Sequence, residues 1–123
     1  MKYMLLIYMG ENAMTEGERQ QCYKDSTQLA HDLHAEGKFV SAGPLQPVAT
    51  ATSVRVREGK RLVTDGPFAE AKEFLAGYWI VEVPSAERAF EIAAKASAAP
   101  GPGGAPLMMP IEVREVRDAP RDT

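Results

Sequence analysis

The stretch TDGPFAEAKEFLAGYWIVEV, residues 64–83, decides the fold. It opens as the end of a β-strand and then meets a Gly-Pro pair, which interrupts regular structure. It closes on GYWIVEV, a run rich in aromatic and β-branched residues of the kind found in buried strands. The stretch therefore predicts two strands connected through a tight turn, and that turn carries an acid, Asp65.

The segment just before it, TSVRVREGKRLVTD (52–65), predicts a β-hairpin. Its residues alternate in polarity, and Glu58-Gly59 offers a two-residue turn at the centre. In this register one face carries Val54, Val56, Arg61, Val63 and Asp65, and the other carries Arg55 and Leu62.

The N-terminal half predicts a strand, a helix and a second strand. Residues 2–9, KYMLLIYM, are apolar on both alternating faces, as in a strand covered on both sides. Thr15 and Glu18 have capping-box spacing, and Gly37 follows at the expected helix end near Glu36. KFVSAGPLQP (38–47) is then the second strand. Helical periodicity gives this helix an inner stripe with Ser26 at its centre, formed by Cys22, Leu29, Ala30 and Leu33.

The C-terminal part predicts a second helix and a last strand. Ser85 is placed to cap the helix, and APGPGGAP (99–106) is a loop because of its prolines and glycines. From Pro110 onward the residues alternate, which indicates a strand with one apolar face. We expect a single domain over residues 1–117 and a loose tail over 118–123. The predicted inner stripe of the second helix is Ala86, Ala89, Phe90, Ala93 and Ala94.

The order strand, helix, strand, hairpin, strand, helix, strand predicts an α+β, ferredoxin-like sandwich, with an antiparallel sheet and two helices on one face. The other face would carry apolar side chains from the first and fifth strands. A patch of that kind is too large to leave exposed on a stable monomer. We therefore expect a homodimer in which two sheets pack face to face.

Composition excludes several classes of function. The chain has 123 residues and a formal charge of −3, which gives nucleic acid and anionic membranes no long-range attraction. Its one cysteine, Cys22, excludes an intrachain disulfide and fits a reducing compartment. No apolar run approaches the ~20 residues of a membrane span, so we expect a cytoplasmic protein. No metal-ligand spacing and no phosphate loop ahead of a helix is present, so we expect no metal and no cofactor.

Asp65 is the strongest candidate for chemistry. An Asx turn would need an N–H two residues later, and that residue is Pro67. A capping box would need Glu or Gln three residues later, and that residue is Phe68. The carboxylate is left for the Phe68 N–H, an arginine or a ligand. If the protein is an enzyme, we expect Asp65 to be its acid–base group.

Four further residues are candidates for substrate binding. Arg55 or Arg61 could orient an anionic group, but the favoured alternative for either is an arginine on the surface of a strand. Ser26 and Tyr78 could donate hydrogen bonds, with a helix serine bonded back to residue 22 and core packing as the alternatives. Nearby, Phe68 is predicted to fill the core. The short charged run of Glu70, Lys72 and Glu73 is predicted to be solvated. Lys72 or Glu73 could still reach the rim of the cleft.

AGP at 42–44, TDGPF at 64–68, EAKE at 70–73 and GYW at 77–79 together resemble the YCII-related proteins, and in particular their DGPF branch. The resemblance runs from Met1 to about Val116. It implies a ferredoxin-like subunit, a dimeric α/β barrel and a small-molecule site in the cleft of each subunit. It also implies an association of the DGPF branch, by genome context, with extracytoplasmic-function sigma factors.

Other branches of that family have a proposed His–Asp pair. The resemblance puts Ser26 at the histidine position and Ala99, before Pro100, at the acid position, so both members are missing here. Two functions follow as expectations. One is a small-molecule enzyme or binding protein with its site near the DGPF turn. The other is a non-catalytic dimeric ligand-binding or regulatory module that works with a sigma factor.

Overall fold

A computed structural model describes residues 1–10, 15–67, 73–98 and 110–117, and these residues form two helices and six strands. The class is α+β, as predicted, and the order of the elements along the chain is also as predicted. A short 3₁₀ turn lies between the second and third strands. The elements are β1 (Lys2–Gly10), α1 (Glu16–Ala35), β2 (Phe39–Pro44), the 3₁₀ turn (Val48–Thr50), β3 (Thr52–Arg57), β4 (Lys60–Asp65), β5 (Glu73–Glu82), α2 (Ala86–Ser97) and β6 (Ile111–Glu115).

Four strands form the main sheet in the order β2-β5-β1-β6. β1 pairs antiparallel with both β5 and β6, and β2 pairs antiparallel with β5. Each helix follows one strand and precedes the next, so the sheet order is compatible with a ferredoxin-like fold. β3 and β4 form a separate two-stranded sheet, which we call the hairpin.

α1 begins where the capping box predicts. The Glu18 backbone N–H donates to Thr15 Oγ1 at 3.2 Å, and the Thr15 N–H donates to the Glu18 carboxylate at 2.9 Å. The helix ends ahead of Gly37, whose φ of +73° is the left-handed conformation that glycine adopts readily. Cys22 and Leu33 are its buried residues, which confirms the predicted inner stripe.

α2 corrects one detail of the sequence analysis. Its predicted cap is present, with Ser85 Oγ accepting from the Arg88 N–H at 3.4 Å. Phe90, however, is 49% exposed and Ala94 is also exposed. The covered stripe is rotated from the predicted one: its members recur at i, i+3, i+4 and i+7 from Ala89, and Phe90 and Ala94 lie outside it. The buried residues of α2 are Ala89, Ile92, Ala93 and Ala96.

Both helices cover the same face of the main sheet. Leu5 and Val81 are 0% exposed, and burial of each such side chain stabilises the fold by about 1.5–3 kcal/mol. Trp79 lies on this face too, with its ring edge against Phe39 at a centroid distance of 6.3 Å. The buried cluster consists of Tyr3, Leu5, Leu33, Trp79, Val81, Val83, Ala89, Ile92 and Ala93.

The opposite face of the sheet, here called the open face, is apolar at its centre. Met4 pairs with Ile80 and Leu6 pairs with Tyr78, and alternation places all four away from the helices. They are half-buried in a single chain. The separation of Tyr78 from Trp79 onto opposite faces is as predicted.

Two glycines allow β2 and β5 to approach closely. A Cβ at Gly77 would lie 3.0 Å from the carbonyl oxygen of Gly43. A Cβ at Gly43 would lie 3.0 Å from Cε1 of Tyr78, because the tyrosine ring lies across this glycine. The AGP and GYW stretches are therefore packed on one another.

Among the described residues, no helix has the length and apolar character needed to cross a bilayer. The predicted 99–106 loop and 118–123 tail lie outside the described residues.

Candidate functional site

The turn after β4 is fixed by hydrogen bonds to Ser53 of β3 and to Ala51, the residue that precedes β3. Gly66 has a φ of +104°, a conformation that residues with a Cβ rarely adopt. Its N–H donates to the Ala51 carbonyl at 2.7 Å, and its own carbonyl accepts from Ser53 Oγ at 2.6 Å. These two bonds hold Pro67, the third residue of the DGPF run, beside the hairpin.

The hairpin has two different faces. Its tip is a two-residue turn in which Glu58 and Gly59 both have positive φ, at 50° and 75°. That geometry matches the right-handed twist of the strands and keeps their register. The observed pairs confirm the predicted division of residues between the faces.

One face, here called the arginine face, borders a pocket of about 250 Å³. Alternation along β3 brings Ser53, Arg55 and Arg57 to this side. Sequence analysis singled out only Arg55 from this group, although the same alternation could have added its neighbours. The lining residues are Ser53, Arg55, Arg57, Leu62, Thr64 and Pro67.

The arginine face is strongly cationic. Arg55 and Arg57 are two residues apart on one strand, so their Cα atoms are roughly 7 Å apart. Lys60, opposite Arg57 in the register, adds a third cation. Within the described part of the chain, none of the three forms an ion pair.

These groups together fit an anionic ligand. A guanidinium offers a planar fork of donors that matches carboxylate and phosphate oxygens. The hydroxyls of Ser53 and Thr64 lie at the same pocket, with Ser53 already donating to Gly66. Leu62 and Pro67 add an apolar wall, so the pocket suits an anion with an apolar part.

Asp65 lies on the other face of the hairpin. It pairs with Thr52 across the strands and is exposed, and its carboxylate has no hydrogen bond or ion pair with a described residue. Arg61 shares its face but is four residues away along β4, a Cα separation of roughly 13 Å. Asp65 therefore forms no ion pair with an arginine of the hairpin: Arg61 is too far along the shared face, and Arg55 faces the other way.

Ser26 and Tyr78 are not among the residues that line the pocket. Ser26 is half-buried on α1 and forms a side-chain hydrogen bond with Cys22, close to the structural alternative predicted for it. Burial raises the pKa of the Cys22 thiol, and the Ser26 hydrogen bond opposes that shift. Tyr78 lies over Gly43 on the open face.

Several predicted positions lie outside the described residues: Phe68, Glu70, Lys72, Ala99 and Pro100. Glu73, the last residue of the charged run, is exposed at the start of β5. Across residues 1–10, 15–67, 73–98 and 110–117, no three His, Cys, Asp or Glu side chains are grouped as metal ligands.

Comparison with known proteins supports the resemblance seen in the sequence. A family model described as the YCII-related domain matches residues 1–104. An uncharacterized protein of Rhizobium meliloti (strain 1021) is 30% identical over 127 residues, covering 98% of this chain and 99% of that protein. The match extends over β1 to α2, and so includes the hairpin and its arginine face. The chain therefore belongs to the family of proteins with a YCII-related domain.

Proposed function

We propose that the chain is a cytoplasmic homodimer that binds a small anionic molecule on the arginine face of its hairpin. The observation that carries this proposal is the convergence of Arg55 and Arg57 on one pocket without an acidic partner among the described residues. Two such cations side by side repel each other, and a bound anion would relieve that repulsion.

The pocket composition narrows the ligand class. Two guanidinium groups favour a phosphate or carboxylate, and the Leu62 and Pro67 wall favours an apolar substituent next to it. A phosphate or carboxylate on a small ring or short chain is the kind of molecule that meets both requirements within about 250 Å³.

Support for the homodimer comes from the open face. Met4, Leu6, Tyr78 and Ile80 form an apolar centre, and Glu112 and Arg114 of β6 lie at its edge. An apolar centre with a polar rim is the composition of a protein interface. Packing of two open faces would give the dimeric α/β barrel implied by the family resemblance.

Binding of phenyl phosphate, measured by isothermal titration calorimetry at low ionic strength, tests the ligand site. We expect wild-type protein to bind phenyl phosphate and not phenol, which is its uncharged counterpart. Arg55→Ala should weaken binding by about 10–100-fold, because a charge-assisted hydrogen bond contributes roughly 1.5–3 kcal/mol.

Arg88→Ala is the matched control, since Arg88 lies on α2 and pairs with Glu91. It should leave the affinity unchanged. Equal binding of phenol and phenyl phosphate, or equal losses in the Arg55 and Arg88 variants, would contradict an anion site on the hairpin.

Catalysis at Asp65 is the second candidate function. Its carboxylate is exposed and has no described hydrogen-bond partner, so it is free to act on a molecule brought to that face. This proposal requires a metabolite that the protein converts as well as binds. Turnover that is abolished in Asp65→Asn, with binding retained, would support it, and turnover unaffected by that change would exclude it.

A regulatory role with an extracytoplasmic-function sigma factor is the non-catalytic alternative. It rests on the family resemblance, and the absence of the His–Asp pair at Ser26 and Ala99 is consistent with it. Co-purification of the chain with a co-expressed sigma factor of this class, measured with and without phenyl phosphate, would test physical association.

A further inference from the structure

The second face of the hairpin has an unusual surface for an isolated element. We call it the valine face. It carries three exposed valines: Val54 is 51% exposed, Val56 is 68% exposed and Val63 is 56% exposed. Its full set of residues is Thr52, Val54, Val56, Arg61, Val63 and Asp65.

A hairpin of two strands is only marginally stable in water unless its apolar face is covered. The hairpin is a sheet of its own, and every residue of β4 is exposed. Exposed valines on adjacent strands also favour association, because they present a flat apolar surface. The valine face therefore requires an occupant.

The charges on this face identify that occupant. The register gives three rows across the strands: Val56 beside Arg61, Val54 beside Val63, and Thr52 beside Asp65. One cation and one anion thus stand at opposite ends of a valine row. If a second copy of this face is rotated by 180° about an axis that runs across the strands, its Arg61 lies opposite Asp65 and its Asp65 lies opposite Arg61.

We propose that the valine face packs against the same face of a second copy of this chain. The two-fold axis would run across the strands along the middle row. Arg61 would then meet Asp65 of the partner subunit, twice by symmetry, and Val63 would meet its own counterpart on the axis.

The alternative axis, parallel to the strands, gives a poorer match. It would place Arg61 over Val56 of the partner subunit and Asp65 over Thr52 of the partner subunit, leaving both charges without a counter-ion. Opposite charges fix the register of an interface more than they add to its affinity. The charges therefore favour the dimer whose two-fold axis runs across the strands.

This inference rests on the proposed homodimer and adds to it. One face of a two-stranded hairpin is smaller than the ~800 Å² per partner of a standard interface, so the open face must supply the rest. The contact would leave the arginine face free, because the two faces are on opposite sides of the hairpin. It would also order the hairpin, and so prepare the pocket for its ligand.

Charge reversal, followed by sedimentation equilibrium, tests the pairing. Arg61→Asp and Asp65→Arg should each raise the dimer dissociation constant by about tenfold, since each replaces two attractive pairs with two repulsive ones. The double variant R61D/D65R should return it to near the wild-type value. Lys60→Glu, a charge reversal on the arginine face, is the matched control and should have no effect.

A cross-link tests the axis. In a Cys22→Ala background, Val63→Cys should join two subunits rapidly with a short bifunctional maleimide, because Val63 faces its own counterpart. Val56→Cys should react slowly, because it would lie opposite Thr52 of the partner subunit. Rapid linkage at position 56 alone would overturn the arrangement.

The outcomes separate this inference from the dimer itself. A wild-type dimer that ignores both charge reversals and does not cross-link at position 63 overturns the valine-face contact and leaves the homodimer standing. A wild-type monomer at micromolar concentration overturns both. Rescue by the double variant supports the contact, since a purely structural role of Asp65 would make the double variant worse.

Discussion

Gly77 and Gly43 set how closely β2 can approach β5. A Cβ at Gly77 meets backbone, the carbonyl oxygen of Gly43 at 3.0 Å, whereas a Cβ at Gly43 meets a side chain, that of Tyr78. A side chain can move aside and a paired backbone cannot. We predict that Gly77→Ala lowers the free energy of unfolding by about 1–3 kcal/mol and that Gly43→Ala lowers it less.

Urea denaturation of the two variants measures this difference, with Gly17→Ala as the control. Gly17 is in the first turn of α1 with nothing near its Cβ position, so its replacement should be neutral or slightly stabilising. Combining Gly43→Ala with Tyr78→Ser should restore part of the loss. Equal losses at positions 43 and 77 would contradict the claim that the Tyr78 side chain yields where the Gly43 backbone does not.

The buried thiol of Cys22 makes the stability of the fold depend on pH. Burial raises the pKa of its thiol above the ordinary 9.0, so the folded state holds this proton more tightly than the unfolded state does. The contribution of the protonated thiol to the free energy of unfolding is fully present below about pH 9. It is lost as the pH rises through the folded pKa, and the free energy of unfolding falls by no more than about 1.4 kcal/mol per pH unit.

Cys22→Ala lacks this dependence. The difference in unfolding free energy between wild type and Cys22→Ala, measured in urea from pH 7 to pH 10, should therefore shrink above pH 9. A difference that stays constant over that range would contradict the raised pKa.

At the scale of the element, the hairpin shows what the sequence can predict. Alternation from Thr52 to Asp65 sufficed for its register and for the two faces, because side chains of a strand have a strict period of two. The same rule could not predict whether Asp65 lies next to an arginine. Two side chains on one face of a strand can still be far apart, and Arg61 is four residues from Asp65 along β4. Ser26 and Tyr78 were grouped with the hairpin as possible hydrogen-bond donors, but neither lines its pocket, because the packing of separate elements is not encoded in a local pattern.

Gly66 supplies the prediction for this element. Its φ of +104° strains any residue with a Cβ, so Gly66→Ala should destabilise the turn by about 1–3 kcal/mol. Amide hydrogen exchange should accelerate in β3 and β4 and stay unchanged in β1, because the hairpin is a separate sheet. Faster exchange in both sheets alike would show that the turn supports the whole fold instead.

At the scale of the whole molecule, the order of elements along the chain predicted the class, since helices that follow the strands of an antiparallel sheet have few ways to pack. The apolar faces of β1 were also predictable, as Leu5 toward the helices and Leu6 on the open face show. The inner stripe of α2 was not, because Phe90 is apolar yet exposed and only the packed fold decides which side of a short helix is covered.

On the proposed function, the hairpin offers Arg55 and Arg57 to a small anion. The ¹H–¹⁵N signals of the arginine side chains, followed while phenyl phosphate is added at low ionic strength, test this most directly. We expect saturable shifts of the Arg55 and Arg57 Nε–H signals, while those of Arg88 and Arg114 stay in place. Small, non-saturating shifts of all arginine signals alike would contradict it.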